Sequence, residues 1–389
     1  MNRLARRTVL LASAGVALAA CTRVAPTSTP APSPGPTENP TPQTAPTVPP
    51  AELTPPPTAT IGPGTVVAEA QFATTPVSSV VAYTGLPPSL AAGIAVELER
   101  SNLGRVLRIQ QFATPAEAAA RVLAERAAPK ADLLLGGSSG LHVGLAKQGL
   151  LDPFRSPAID AIPADLRDPG AAWTGWYASL LAVLINRDRY RADLPGVDAP
   201  EDWDDLLKPE LKGRVALPDP ATTDAGYLFL SGQYFRLGRD EGKALDYMKE
   251  LHGQVAQYAA TEAALAQAIA KGQVPIAVGW ADDALSAVDR GDPVALSPPA
   301  QLLFDVGAVG LVKGGPNASA ARAVMEWLLG KDAAQIVVSV GNRSSTLRGM
   351  APPAGLPSLD AAPAAPYDRT WAVDNRARLI QAWRTAVGR

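Results

Sequence analysis

An α/β fold is predicted by three features of this 389-residue sequence. From about residue 80 onward, short apolar runs alternate with stretches of helical spacing. Loops rich in Gly, Pro, Ser and Thr separate the two kinds of segment. No internal repeat interrupts the alternation. That pattern predicts a mostly parallel sheet with helices on its faces. The length suffices for one large domain or two medium lobes, each with its own core.

The elements follow in order. Val80–Thr84 is a short apolar strand, closed by the turn Gly85-Leu86-Pro87-Pro88. Ser89–Glu99 has helical spacing, and Ser89 is placed to cap it. Val106–Gln110 is the next strand and Pro115–Arg126 an Ala-rich helix. Ala131–Leu135 is a continuous apolar strand; Gly136-Gly137-Ser138-Ser139-Gly140 and a helix over Leu141–Gln148 follow it. Ser179–Ile185 is a long apolar strand, Trp203–Leu207 a short helix, and Val215–Leu217 a strand ended by Pro218. Helices are expected over Ala225–Leu237, Lys243–His252 and Glu262–Lys271. Ile276–Trp280 is a strand, with a helix over Asp282–Arg290. Val306–Val312 is apolar again. Ala318–Leu329, Ala333–Val340 and Arg376–Val387 are helical.

The N-terminus reads as an address. Arg3, Arg6 and Arg7 precede the apolar run Val9–Ala20. A bilayer-spanning helix needs about 20 residues, so this run fits a signal-peptide core instead. It ends in Leu18-Ala19-Ala20-Cys21, which resembles a bacterial lipobox, and Cys21 is the only cysteine in the chain. Lipidation at Cys21 is therefore expected, with a single-cysteine chain suiting an oxidising compartment. Arg6-Arg7-Thr8-Val9-Leu10 also resembles a twin-arginine export signal. Residues 22–65 are mostly Pro, Thr, Ala and Ser; they cannot bury enough surface to fold. As an extended chain such a tether reaches on the order of 100 Å.

Composition excludes several functions. A net charge of −2 leaves no basic surface for nucleic acid. One cysteine and two histidines, His142 and His252, cannot build a Cys/His metal site.

Two loops carry the chemistry. Gly136–Gly140 matches G-x-S-x-G between a strand and a helix, the setting of a hydrolase nucleophile elbow with Ser138 as nucleophile. A serine nucleophile needs a histidine base. His252 has no signature around it, and His142 sits on the helix that starts at the motif. The same loop also reads as a ligand cradle, with close-approach glycines, Ser138, Ser139 and helix N–H donors for an anion, or as a plain strand-to-helix turn. Asp219–Gly226 is a second loop of this type: Thr222, Thr223 and Asp224 either cap the next helix or face a ligand.

The order of motifs is similar to the family 1 extracellular solute-binding proteins of ABC importers, in the branch with ferric-iron and 2-aminoethylphosphonate binders. The matching stretches are Ala82-Tyr83-Thr84-Gly85, Ala131–Gly137, Gly149–Phe154, Trp173–Tyr177, Trp203–Leu207, Leu211–Ala216, Leu217–Pro220 and Ala323–Leu329. The resemblance implies a two-lobe periplasmic-binding-protein-like (type 2) α/β fold with a ligand cleft between lobes. Residues 66–180 and 306–389 would form lobe 1, and 181–305 lobe 2. By position, Thr84, Gly85, Ser138 and Ser139 would line one wall. Tyr177, Thr222, Thr223 and Asp224 would contribute near the hinge and from the other lobe, with Trp280, Asp282 and Arg343 beside Ser344 completing the cleft. Permease and ATPase partners follow from the family. A monomer is expected, with no metal, cofactor or catalysis.

Within that family the solute is open. Iron binders carry an adjacent Tyr-Tyr pair after the strand matching Ile276–Gly279; here the site reads Trp280-Ala281-Asp282-Asp283-Ala284, and no Tyr-Tyr occurs in the chain. Hydroxyl-rich loops before helices favour a small organic anion or zwitterion, with Asp282 or Asp224 pairing an amine. Iron and a Ser138 hydrolase stand as alternatives.

Overall fold

The computed structural model describes residues 78–101, 103–360 and 366–389, all within one compact unit. The export segment, Cys21 and the tether expected at 22–65 lie outside the described residues.

The chain runs β1 (Ser78–Thr84), α1 (Pro88–Arg100), β2 (Arg105–Gln111), α2 (Pro115–Ala124), β3 (Leu133–Ser138), α3 (Ser139–Lys147) and β4 (Leu151–Asp152). Next come β5 (Thr174–Asn186), α4 (Arg187–Asp193), β6 (Val215–Pro218), α5 (Asp224–Arg236), α6 (Glu241–His252), β7 (Val255–Ala259), α7 (Glu262–Ala270), β8 (Ile276–Trp280), α8 (Ala281–Asp289) and β9 (Val294–Ser297). It closes with β10 (Phe304–Val312), α9 (Ala318–Leu328), α10 (Lys331–Ser339), β11 (Ser344–Ser345) and α11 (Arg369–Val387).

The strands order as β2-β1-β3-β10-β5-β8-β6-β7. In the first half β1 pairs β2 and β3 in parallel; in the second, β6 pairs β7 and β8 in parallel. Between them, β10 runs antiparallel to β3 and β5, and β5 runs antiparallel to β8. The sheet is thus mixed rather than mostly parallel. The antiparallel pairs fall where the chain crosses between halves, which local periodicity does not reveal.

Strand β5 is the main crossing. Its Thr174–Leu180 portion pairs with β10, and Leu181–Ile185 pairs with β8. Its side chains alternate as a strand buried on both faces requires. Leu181, Val183 and Ile185 enter one core; Leu180, Ala182 and Leu184 enter the other. In the first half, Val80 and Ala82 of β1 pack with Leu90, Ile94 and Leu98 of α1, while Tyr83 joins the opposite layer with α2 and α3 residues.

Two local expectations change. Ser89 does not cap α1: Pro88 takes the first helical position and Pro87 the cap, because proline's missing N–H costs nothing there. Helix α11 starts seven residues before the expected Arg376, and its second half leaves the lobe assigned to 306–389. Leu379, Trp383 and Val387 are buried in the core built by α5, α6 and the end of β5. The apolar stripe Leu379-Trp383-Val387, spaced four apart, is what takes it there.

Candidate functional site

The site is built at the crossing. Two adjoining cavities open there, of about 680 Å³ and about 400 Å³. Thr114, Pro115, Ser138, Asp224, Glu262 and Asp305 line both. Sizes of this order suit a small molecule.

Tyr177 of β5 forms the floor of the larger cavity. Its ring lies flat against Gly307 of β10: a Cβ there would sit 1.9 Å from the ring. Its hydroxyl accepts the Gly137 N–H at 3.3 Å. Gly137 itself holds φ +86°, a backbone state that favours glycine. Burial pushes the Tyr177 phenol up, against the pull of Arg343. The Arg343 guanidinium stands 4.7 Å over the Tyr177 ring. Its Nε and Nη2 donate to Asp282 Oδ2 at 3.0 and 2.9 Å. Arg343 and Asp282, read separately from sequence, are therefore a buried ion pair. Asp282 Oδ1 and Arg343 Nη1 have no partner.

The smaller cavity contains the start of α3. Ser138 takes the cap position but makes no side-chain cap. Among the described residues, no acceptor from elsewhere in the chain reaches the backbone N–H groups of Ser139, Gly140 or Leu141. Ser139 is buried, and its hydroxyl donates to Asp305 Oδ1 at 2.6 Å. Burial raises the Asp305 carboxyl, while Arg369 and the Ser139 hydroxyl oppose the shift. Arg369, 9% exposed, lines the same cavity; its Nη1 donates to Asp165 O, but its Nε is unpartnered. Arg376 lies over the Tyr227 ring at 4.5 Å and donates to Asp224 at 3.3 Å. Open helix N–H groups beside an unsatisfied guanidinium make an environment for an anion.

The start of α5 is filled from within. Thr223 caps it, accepting the Gly226 N–H at 3.0 Å and donating to Asp219 O. Thr222 donates to Ala260 O. Glu262, the first residue of α7, accepts the N–H groups of Asp224 and Ala225, each at 3.1 Å. Burial raises the Glu262 carboxyl; those N–H groups and the Trp280 indole pull the other way.

Trp280 ends β8 and lines the larger cavity, with Asp282 and Asp283 on the first turn of α8 beside it. Burial and the neighbouring Asp282 raise the Asp283 carboxyl to about 7. Gly85 reaches the same cavity; a Cβ on it would lie 2.2 Å from Pro115 N. Thr84 is set behind that wall. It is fully buried, donating to Leu135 O at 2.6 Å and accepting from Leu86 N. Ser344, beside Arg343, is buried in β11.

Sequence reading missed Glu262, Asp305 and Arg369. Glu262 and Arg369 begin helices and Asp305 is the second residue of β10, where a charged residue reads as a boundary. Neither histidine contacts the Ser138 hydroxyl. His142 is fully buried with Nδ1 3.3 Å from the Ser138 carbonyl oxygen, and burial lowers it to about 4. His252 pairs with Tyr258 OH at 3.0 Å. Tyrosines of both halves are held as neutral phenols. Tyr83 donates to Glu125, and burial raises Tyr83 and Tyr227 to about 12. Among the described residues, no group of three or more His, Cys, Asp or Glu is placed to hold a metal ion.

Two α/β halves joined by crossing strands, with a polar cleft at the join, define a two-lobe binding-protein fold. The family model described as bacterial extracellular solute-binding protein matches residues 128–369, and the chain belongs to that family. An uncharacterized protein of Haemophilus influenzae is 29% identical over 273 residues, covering 68% of this chain and 78% of that one. A Salmonella typhimurium periplasmic protein named for 2-aminoethylphosphonate binding is 24% identical over 220 residues. That match covers 55% of this chain and 61% of the relative's own length. The periplasmic binding protein AfuA from Actinobacillus pleuropneumoniae, solved with fructose-6-phosphate, superposes with a TM-score of 0.70 at 24% identity. It covers 80% of this chain and 99% of AfuA. Iron-bound HitA from Pseudomonas aeruginosa gives 0.66 at 17% identity, covering 79% and 99%. These two likenesses show the type 2 fold.

Proposed function

We propose that this protein is the lipid-anchored, extracytoplasmic receptor of an ABC importer and captures a small organic anion or zwitterion between its lobes. The observation that carries the ligand class is the smaller cavity. There the uncapped start of α3 and the Arg369 side chain, whose Nε is unpartnered, line the same space. A phosphonate, phosphate ester or carboxylate supplies the acceptors both lack. Relatives named for 2-aminoethylphosphonate and a neighbour solved with fructose-6-phosphate support that choice. The Cys21 lipobox supports the anchor, and relatives of the importer class support permease and ATPase partners for a monomeric receptor.

The test is a thermal-shift screen of the purified protein with phosphonates, phosphate esters, carboxylates, polyamines, thiamine and ferric citrate. Saturable stabilisation by a phosphonate, phosphate ester or carboxylate, lost in Arg369→Gln, is the expected result. A tyrosinate-to-iron absorption band with stoichiometric ferric binding would replace the organic ligand by iron. Palmitate labelling that survives Cys21→Ala unchanged would remove the anchor.

A further inference from the structure

The larger cavity has a charge imbalance that the anion site does not explain. Five carboxyl side chains line it, those of Asp224, Glu262, Asp282, Asp283 and Asp305, against one cationic side chain, Arg343. Asp224 has Arg376 and Asp282 has Arg343. Glu262 is held by two backbone N–H groups and Asp305 by the Ser139 hydroxyl. Asp283 has no hydrogen-bond or ion-pair partner among the described residues. Beside it Asp282, 5% exposed, spends Oδ2 on Arg343 and leaves Oδ1 unpartnered. A buried acceptor without a donor is destabilising, so this corner is incomplete without a ligand.

Resting on the reading of the cleft as a solute site, we infer that the corner where α7 and α8 begin is an ammonium subsite. Asp282 Oδ1 and Asp283 receive a protonated primary amine of the solute, with Glu262 behind them. An ammonium brings three donors and one positive charge, matching the two acceptors and the excess of acid. A metal ion fits less well, because no group of three such ligands is placed around one point among the described residues. The solute is therefore an amine-bearing anion, and the two cavities divide its poles.

The subsite has a pH signature. Asp282 and Glu262 face Asp283 and raise its carboxyl; Arg343 and Arg290 oppose them, and burial contributes most. Without ligand, the raised Asp283 carboxyl holds its proton far more readily than an ordinary carboxyl. An amine must then displace that proton, so affinity falls as the pH drops through the Asp283 range and levels off above it.

Calorimetry of the purified protein tests this with 2-aminoethyl-, 3-aminopropyl- and 4-aminobutylphosphonate, their amine-free alkyl counterparts, and 1,4-diaminobutane, at pH 6, 7 and 8. At least one aminophosphonate should bind 30-fold or more tighter than its alkyl counterpart. Asp283→Asn should erase that advantage and the pH slope. Glu262→Gln is a second variant should Asp283→Asn misfold; it should shrink the advantage. Equal affinity with and without the amine, or an unaffected Asp283→Asn, overturns the subsite. If only 1,4-diaminobutane binds, and Asp283→Asn abolishes it, the subsite stands and the anionic reading falls. If no probe carrying an amine binds, the subsite falls.

Discussion

Helices α3 and α5 begin alike in sequence. Each follows a strand and a loop of small hydroxyl residues, Gly136–Gly140 in one case and Asp219–Gly226 in the other. In the folded chain they differ. The α5 start has a threonine cap and a carboxylate, Glu262, brought from α7. The α3 start has no side-chain cap, and the carboxylate beside it, Asp305, takes the Ser139 hydroxyl and no α3 backbone N–H; that start faces a cavity lined by Arg369 and Arg376. A helix N-terminus offers the same donors wherever it occurs. Which one serves a ligand is decided by whether the fold engages those backbone N–H groups first.

The comparison can be broken by giving α3 what α5 already has. Gly140→Asp places a carboxylate in the first turn of α3, where a Cβ meets only Val373 Cγ2 at 3.5 Å and Ser138 Oγ at 3.9 Å. Affinity for the anionic ligand identified by the screen should fall on the order of 100-fold, since a like charge then occupies its place. Melting temperature should hold or rise slightly. Unchanged affinity, measured by calorimetry, would take α3 out of the site.

Glu262→Ala is the converse change. It orphans the N–H groups of Asp224 and Ala225 and should cost about 1–3 kcal/mol in urea unfolding. Added sulfate should recover part of that loss in the variant and do little for the parent at α5. Thr223→Ala removes the cap and the bond to Asp219 O and should cost about 1 kcal/mol. Ser138→Ala should shift stability by less than about 0.5 kcal/mol, because that hydroxyl caps nothing. A Ser138→Ala loss as large as that of Thr223→Ala would mean the two starts are equivalent after all.

Much of the architecture was legible because burial on both sheet faces writes itself as apolar runs. Val80–Thr84, Ile276–Trp280 and Val306–Val312 were each read within two residues of the observed strand starts. Strands β7 and β9 and helix α4 were not read. Val255–Ala259 has exposed positions in its middle, Val294–Ser297 is a four-residue strand attached only to β5, and Arg187–Asp193 is too polar to show an apolar stripe. Within the site, Tyr177, Asp282 and Arg343 came from motif position. Their mutual contacts did not, since Asp282 and Arg343 meet across 61 residues of sequence. Glu262, Asp305 and Arg369 escaped for the same reason: each is ordinary in its own segment and acquires its role from a distant one.

Strand β5 hands the chain to the second half at Leu181, whose N–H is bonded to Leu303 O at 2.8 Å just before β10 returns it. Entry and exit thus touch, and residues 181–303 form a loop closed at its own base. To a protein engineer that is a cassette: its two ends already meet, so a homologous segment with different pocket residues needs no new linker. Its core draws on residues outside it. Trp383, 1% exposed, comes from α11 and plugs the cassette's core from the far end of the chain. A graft that exchanges 181–303 alone leaves the wrong plug in place; a graft that carries α11 with it exchanges the plug as well.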